Sequence, residues 1–403
     1  MARVFLLVMD SAGIGGAPDA GEFFNGDVPD TGTNTVAHIA QACAAGLAEE
    51  GRSGLMRVPT LDALGLGAAM TLASGEVSAG LGQTPTGAWG AATEVSRGKD
   101  TPSGHWEMAG VPVPWDWHSF PDTEPAFPPE VTAAICAAAG TEGILGNRHS
   151  SGTAILDQEA EAHMTTGWPI CYTSVDSVLQ IAAHEDAFGL DRLLDLCRSV
   201  APMLHDMKVG RVIARPFVGD AQAGFARTAH RRDFAIDPPH PTICDMVQGA
   251  GHPVYAVGKI GDIFSMRGID EVRKGRDIDL MVHLNDLVDT APEGAFIFAN
   301  FVEFDSEFGH RRDVSGYARH LEWFSDALSR VLPRLRPDDM VIVTADHGND
   351  PTWIGTDHTR ERMPVLVHGV GARALGQLGF SDIGASVADH LGVPYTGKGK
   401  SFL

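Results

Sequence analysis

Three apolar runs in this 403-residue chain end the same way, on a carboxylate. Val4–Met9 runs into Asp10. AFIFANFVEF runs into Asp305, with His310 five residues on. Met340–Thr344 runs into Asp346 and His347, and His358 follows eleven residues later. Three carboxylates and three imidazoles are the donor types of a transition-metal centre. The mixture suits Mn²⁺ or Zn²⁺ better than Ca²⁺, which prefers oxygen alone. Each residue also has a plainer reading. Asp346-His347-Gly348-Asn349 is good turn chemistry, and Asp10-Ser11 is a plausible helix cap or turn. His310 in GHRRD and His358 in TDHTRER sit in polar surroundings. One two-metal site accounts for all six positions together, whereas the plainer readings require six separate accidents.

Two metals need something to act on. The stretch GKDTPSGHWEMAG, Gly98–Gly110, holds Thr101 between Asp100 and Pro102. A threonine hydroxyl is a weak nucleophile at neutral pH, and metal coordination is one way to activate it. From local sequence alone, a capping or turn threonine is the competing reading.

The elements that must position these residues follow from hydrophobic pattern. Short β-rich runs alternate with helix-period segments, which argues for an α/β layered fold. Val4–Met9 reads as a buried strand, and so do Val254–Val257, Ala295–Phe304, Met340–Thr344 and Pro364–His368. Thr33–Leu47 and Asp382–Leu391 read as helices. Tyr317, Leu321, Phe324, Leu328, Val331 and Leu335 step by three or four residues and form one apolar helix stripe. In open α/β sheets ligands bind beyond the carboxyl ends of the strands. Three strands each delivering an acid there concentrate negative charge in one crevice, a costly arrangement that divalent cations relieve.

Pro- and Trp-rich sequence at Pro112–Pro129 and the DPPHP near Asp237 bracket a segment large enough to fold by itself. The expected organisation is a core over 1–114 and 236–403, with a smaller α/β domain inserted at 115–235. Composition narrows the partners. There are 30 Lys plus Arg against 52 Asp plus Glu, a formal net charge of −22, so the chain lacks the cationic field that nucleic-acid backbones require. The five cysteines are scattered without a C-x-x-C pair, which fits a reducing cytoplasm. The apolar run after the N-terminus is too short for a signal segment, and no run is long enough to span a membrane. No obligate protein partner is evident.

Taken together, MDSAGIGGAPDA, GKDTPSGHWEMAG, YTSVDSVLQIAAHE, GRVIARPFVGD, FVEFDSEFGHRRD and TADHGNDPTWIGTDHTRE resemble the phosphopentomutases. These are two-metal phosphoryl-transfer enzymes of the alkaline-phosphatase-like superfamily, and the likeness runs in order from Asp10 to the C-terminal SFL. It implies an alkaline-phosphatase-like core, with a central, mostly parallel sheet flanked by helices, and an inserted cap domain that excludes water. It implies two Mn²⁺ per chain, one on Asp10, Asp346, His347 and the Thr101 oxygen, the other on Asp305, His310 and His358. Thr101 is implied as the phosphoryl carrier. Asp176 is implied as a contact to sugar hydroxyls, and Arg211, Arg227 and Lys259 as contacts to the distal phosphate. The implied substrates are α-D-ribose 1-phosphate, or its 2-deoxy form, and the 5-phosphate, within nucleoside and pentose phosphate catabolism. A sugar bisphosphate such as glucose 1,6-bisphosphate is the implied activator.

Other readings have less behind them. A phosphatase of the same superfamily would use similar ligands. A cofactor-independent phosphoglycerate mutase is expected to carry serine where this chain has Thr101. A sulfatase would need C-x-P-x-R or S-x-P-x-R, and neither occurs. GVPYTGKG at Gly392–Gly399 lacks the Ser/Thr and the following helix of a P-loop, and GIGG near Gly13 is too weak for a dinucleotide fingerprint. A non-enzymatic binding module survives only if the six ligands do not converge.

Overall fold

The computed structural model describes residues 2–174 and 177–403. The chain forms two compact units. One comprises the residues up to Pro114 together with Pro238–Leu403, and the other is Trp115–Asp237.

The larger unit is built on an eight-stranded sheet. Its strands lie in the order Glu271–Arg273, Val254–Val257, Phe296–Phe301, Val4–Met9, Met340–Thr344, Met363–His368, Ala88–Thr93, Arg373–Gly379. The first five are mutually parallel, and Met363–His368 runs antiparallel to both of its neighbours. Strands buried on both faces must be apolar throughout. The three central ones, VFLLVM, FIFANF and MVIVT, are buried at every position. Their register puts Met9 beside Phe301 and Val8 beside Thr344. The chain therefore leaves all three strands at one edge, and Asp10, Asp305 and Asp346 follow within a few residues.

Helices cover the sheet. The Val314–Val331 helix starts at Asp313, whose carboxylate accepts a hydrogen bond from the Gly316 amide at 2.7 Å. It buries Tyr317, Leu321, Phe324, Leu328 and Val331. The apolar stripe was expected to reach Leu335, but Pro333 lacks the amide an α-helix needs, and the chain tightens into a short 3₁₀ turn over Leu332–Arg334. The helix expected over Thr33–Leu47 spans Thr35–Ala44, and the strand expected over Ala295–Phe304 spans Phe296–Phe301. Beyond that strand, Phe304–Gly309 winds into a wide helical turn that carries Asp305. Among the described residues, no helix is long and apolar enough to cross a membrane.

The second unit has its own sheet, ordered Arg232–Ala235, Arg211–Asp220, Val178–His184, Ile170–Thr173, Leu145–His149, with Gly224–Arg227 paired to Arg211–Asp220. One face, with Cys171, Leu179, Ile181, Val212 and Ala214, packs on Leu193, Leu196 and Val200 of the Leu190–Asp206 helix. On the other, Ile155, Leu156 and Ala160 of the Ala154–Thr166 helix cover Ile170, Tyr172, Ala182 and Phe217.

Candidate active site

Thr101 opens the Thr101–Met108 helix. Asp100 caps that helix, its carboxylate accepting from the Ser103 amide at 3.0 Å and from the Ser103 hydroxyl at 2.9 Å. The helix lies hard against the Asp346 turn. A Cβ on Gly104 would sit 2.1 Å from the Asp346 carbonyl oxygen, so only glycine allows this approach. The Thr101 hydroxyl is thereby held 3.3 Å from His347 Nε2.

Asp10, Asp346 and His347 form one group of potential ligands, with donor atoms within 4.8 Å of one another. All three are buried. Asp10 Oδ2 accepts from Asn300 Nδ2 at 3.0 Å, and Asp346 Oδ1 from the Ser11 amide at 3.0 Å. Their other oxygens, Asp10 Oδ1 and Asp346 Oδ2, make no hydrogen bond among the described residues, though His105 Nδ1 lies 3.1 Å from Asp346 Oδ2. His347 Nδ1 lies 3.1 Å from the Gly348 carbonyl, which can only accept, so the ring proton sits there. The bare Nε2 then faces Asp10 Oδ1 at 3.5 Å and Asp346 Oδ2 at 3.3 Å.

The second group joins Asp305, His347 and His358. His310 adjoins it, with Nε2 3.1 Å from Asp305 Oδ2 and 3.1 Å from His358 Nε2. His310 Nδ1 donates to the Thr356 carbonyl at 2.6 Å, which leaves its Nε2 turned inward. His358 Nε2 is 3.6 Å from Asp305 Oδ1, and its ring stacks on His347 at 3.9 Å between centroids. The six residues singled out in the sequence thus come together, and His347 belongs to both groups.

The electrostatics fit a cation. Burial, then the charges of Asp346 and Asp305, push the Asp10 carboxyl well above its usual range, while Lys259 partly offsets them. Burial also drives His347 down to about 4, so its imidazole is neutral at physiological pH, the state that ligates metal. Burial would raise Asp305, but His358 and His310 overcome it and hold that carboxyl well below its usual range. Unpartnered buried carboxylate oxygens facing imidazole lone pairs repel one another unless a positive ion lies between. The donor set therefore fits divalent metal.

Several supporting residues were not singled out in the sequence. His105 Nδ1 donates to the Thr101 carbonyl at 2.9 Å. Its Nε2 accepts from Asn300 Nδ2 at 2.9 Å, and the same amide group also donates to Asp10. Asn349 Nδ2 donates to Asp305 Oδ1 at 2.7 Å, and its backbone amide donates to the Thr35 hydroxyl. That hydroxyl donates in turn to Glu361, a buried acid whose pKa burial and Asp350 raise to about 7. Partners that orient metal ligands are expected behind any such centre. His105 lies four residues after Thr101, one helical turn, which is the only signal that pointed to it.

Of the residues implied as substrate contacts, Lys259 is in this unit. It lines a cavity of about 260 Å³ with Asp262, Arg276, Asp277 and Glu303. Arg211 and Arg227 belong to the second unit, where Arg211 lies 3.6 Å from Asp233. Asp176 falls outside the described residues.

Comparison with known proteins bears on this geometry. The family model of the metalloenzyme superfamily matches residues 2–395. A phosphopentomutase of Methylorubrum extorquens is 53% identical over 412 residues, covering 100% of both chains. One from Sinorhizobium fredii is 53% identical over 411 residues with the same coverage. Among solved structures, a protein from Pyrococcus horikoshii aligns over 98% of each chain with 11% identity and a TM-score of 0.49.

Proposed function

This chain belongs to the phosphopentomutase family, an isomerase family of the metalloenzyme superfamily, and from that premise we propose that it interconverts α-D-ribose 1-phosphate, or its 2-deoxy form, and the 5-phosphate through a phosphorylated Thr101. Asp10, Asp346 and His347 would hold one divalent metal and Asp305, His310 and His358 a second, with Mn²⁺ as the preferred ion. Such ions supply charge neutralisation for a transferring phosphoryl group.

The chain's own residues do the rest. In the first half-reaction the bond between phosphorus and the Thr101 oxygen breaks as a bond forms to the free hydroxyl of the pentose phosphate. The sugar is then a 1,5-bisphosphate and Thr101 is a free hydroxyl. In the second half-reaction the other phosphoryl group passes to Thr101, leaving the isomeric monophosphate. Thr101 is suited to carrying that group because it sits in the first turn of its helix, where the dipole favours negative charge. His105, bonded to the Thr101 carbonyl and through Asn300 to Asp10, keeps the carrier in register with the carboxylates. Priming of Thr101 by a sugar bisphosphate such as glucose 1,6-bisphosphate belongs to the same proposal. So do a cytoplasmic setting and small-molecule pentose phosphates as the sole partners.

The observation that carries this reading is the Thr101 hydroxyl 3.3 Å from the one histidine shared by both ligand groups. The test is to supply ribose 1-phosphate and Mn²⁺ and follow both ribose 5-phosphate and inorganic phosphate. A mutase yields the 5-phosphate with little free phosphate, and release of phosphate alone rejects the proposal. Mass spectrometry should find phosphate on Thr101, and Thr101→Ala should abolish isomerisation.

A further inference from the structure

Residues 94–100 join the Ala88–Thr93 strand to the helix that Thr101 opens, and they form neither helix nor strand. Such a stretch has no ladder of its own to fix it, yet a phosphoryl carrier must keep its place to within a fraction of an ångström. Side chains take over that task. The Glu107 carboxylate accepts the Ser96 amide at 2.7 Å and the Val95 amide at 2.9 Å. Arg360, which is buried, donates to the Glu94 carbonyl at 2.8 Å and the Gly98 carbonyl at 2.6 Å. Lys99, two residues before Thr101, works outward from the stretch itself. Its Nζ lies 2.8 Å from the Phe24 carbonyl, 3.1 Å from Asp30 Oδ2 and 3.3 Å from Asp357 Oδ2. An ammonium group has three donors, and three oxygens of the protein face it. Lys99 is therefore engaged as a fastening, with no donor spare for a bound phosphate.

The segments it fastens to also hold a metal ligand. Phe24 and Asn25 pair with Val28 and Pro29 in a short hairpin. Asn25 is buried, and its amide group grips the backbone at His358. Nδ2 donates to the His358 carbonyl at 3.0 Å, and Oδ1 accepts the Asp357 amide at 3.0 Å. Asp30, fully buried, gathers these parts. Its Oδ1 accepts from Asn25 Nδ2 at 3.0 Å, and its Oδ2 accepts from Lys99 and, at 3.0 Å, from the Arg360 amide. One carboxylate thus receives the hairpin, the stretch before Thr101 and the loop that carries His358. Its bond to Lys99 joins two charged groups, the strong class of hydrogen bond.

We infer that Lys99 is a positioning residue for the phosphoryl carrier, fixing Thr101 relative to His358 through Asp30 and Asp357. The inference rests on the proposed function for the role of Thr101. The Thr101 hydroxyl meets His347 directly, but His358 and Asp305 stand in the other ligand group. Phosphoryl transfer is catalysed by placing the carrier correctly against all the charges around the phosphoryl group. The Lys99 link ties the carrier's stretch to the loop of the more distant ligand, so that both are held at once.

The test is Lys99→Met in the full chain loaded with Mn²⁺, which keeps an apolar stem and deletes the ammonium. With ribose 1-phosphate, kcat should fall about 10²-fold, the scale of a misplacement of about 1 Å. KM should change by less than about threefold, the pattern of a lost transition-state interaction. Metal content by elemental analysis should equal that of the parent, because the Lys99 ammonium bonds to no ligand side chain. Lys99→Cys alkylated with 2-bromoethylamine rebuilds an ammonium of nearly the same reach and should recover most of kcat, with the parent chain treated alike as the control for its own cysteines. An unchanged kcat in Lys99→Met would overturn the inference, and so would complete alkylation that leaves kcat low. A raised KM at unchanged kcat would make Lys99 a substrate contact instead, and loss of metal and of cooperative unfolding in step with activity would make it a general support of the fold; either result rejects the role. An inactive parent chain rejects the proposed reaction and this role with it, whereas an active parent and an equally active variant reject the role alone.

Discussion

Two groups in the core unit have nearly the same composition and opposite characters. Asp10, Asp346 and His347 form one, and Asp277, Glu303 and His320 the other. Both bring two acids and an imidazole within reach of a single ion. In the second, Asp277 Oδ1 accepts the Val302 amide at 2.9 Å, and Oδ2 accepts the Glu303 amide at 3.2 Å and His320 Nε2 at 2.8 Å. Asp277 also stands in the first turn of the Asp277–Thr290 helix, where a negative charge is favoured. Its charge is satisfied by the protein. In the first group Asp10 Oδ1 and Asp346 Oδ2 are buried and make no hydrogen bond among the described residues, the nearest donor to Asp346 Oδ2 being His105 Nδ1 at 3.1 Å, which is turned to the Thr101 carbonyl. Proximity of metal-ligating residue types is therefore a weak criterion, and unsatisfied buried lone pairs are the discriminating one.

That difference can be attacked directly. Asp10→Asn should remove metal, read by elemental analysis of the purified protein, and lower turnover by about 10³-fold or more, because neutralising a transferring phosphoryl group is worth several kcal/mol. The same change should raise, or leave unchanged, the thermal midpoint of the chelated protein, since it deletes one of the like charges that Asp346 and Asp305 oppose. A variant that retains its metal, or that is clearly less stable when chelated, would mean the first group is structural like the second.

A smaller effect is expected one layer out. Asn300→Ala deletes the amide group that serves Asp10 Oδ2 and His105 Nε2 together. Loss of such orienting partners typically costs about 10–100-fold in metal affinity or activity. If turnover at saturating Mn²⁺ were unchanged, the link between Asp10 and the Thr101 helix would carry no functional weight.

The sequence revealed the ligand groups for a physical reason. Fully buried parallel strands need uninterrupted apolar residues, so the acids at their ends stand out, as Asp10 does after VFLLVM and Asp346 after MVIVT. The Ala88–Thr93 and Arg373–Gly379 strands gave no such signal. They are rich in glycine and alanine because they pack backbone against backbone, and a Cβ on Gly90 would lie 2.7 Å from the Gly376 carbonyl. Asn300 was hidden for the opposite reason. It sits inside the apolar FIFANF run, and only the fold shows that its side chain turns toward Asp10 and His105. His310 and His358 lie in polar stretches and were legible only through resemblance and spacing. Their convergence on Asp305 depends on the Thr356 carbonyl, which fixes the His310 ring from a distant loop.

The smallest effect should come from the second group. Asp277→Asn keeps one carbonyl oxygen but replaces the other acceptor with a donor. That NH₂ then faces the Glu303 amide and His320 Nε2, so at least one partly buried backbone donor loses its partner. A cost of about 1–3 kcal/mol in stability is expected, read as a lowered thermal midpoint whether or not metal is present. Metal content should match that of the parent chain, because the Asp10 and Asp305 groups are intact. Turnover should change only a few-fold, since Val302 and Glu303 lead into the turn that carries Asp305 and a slight loosening there reaches the ligand indirectly. Loss of a bound ion in Asp277→Asn, without that stability cost, would erase the distinction between the two groups.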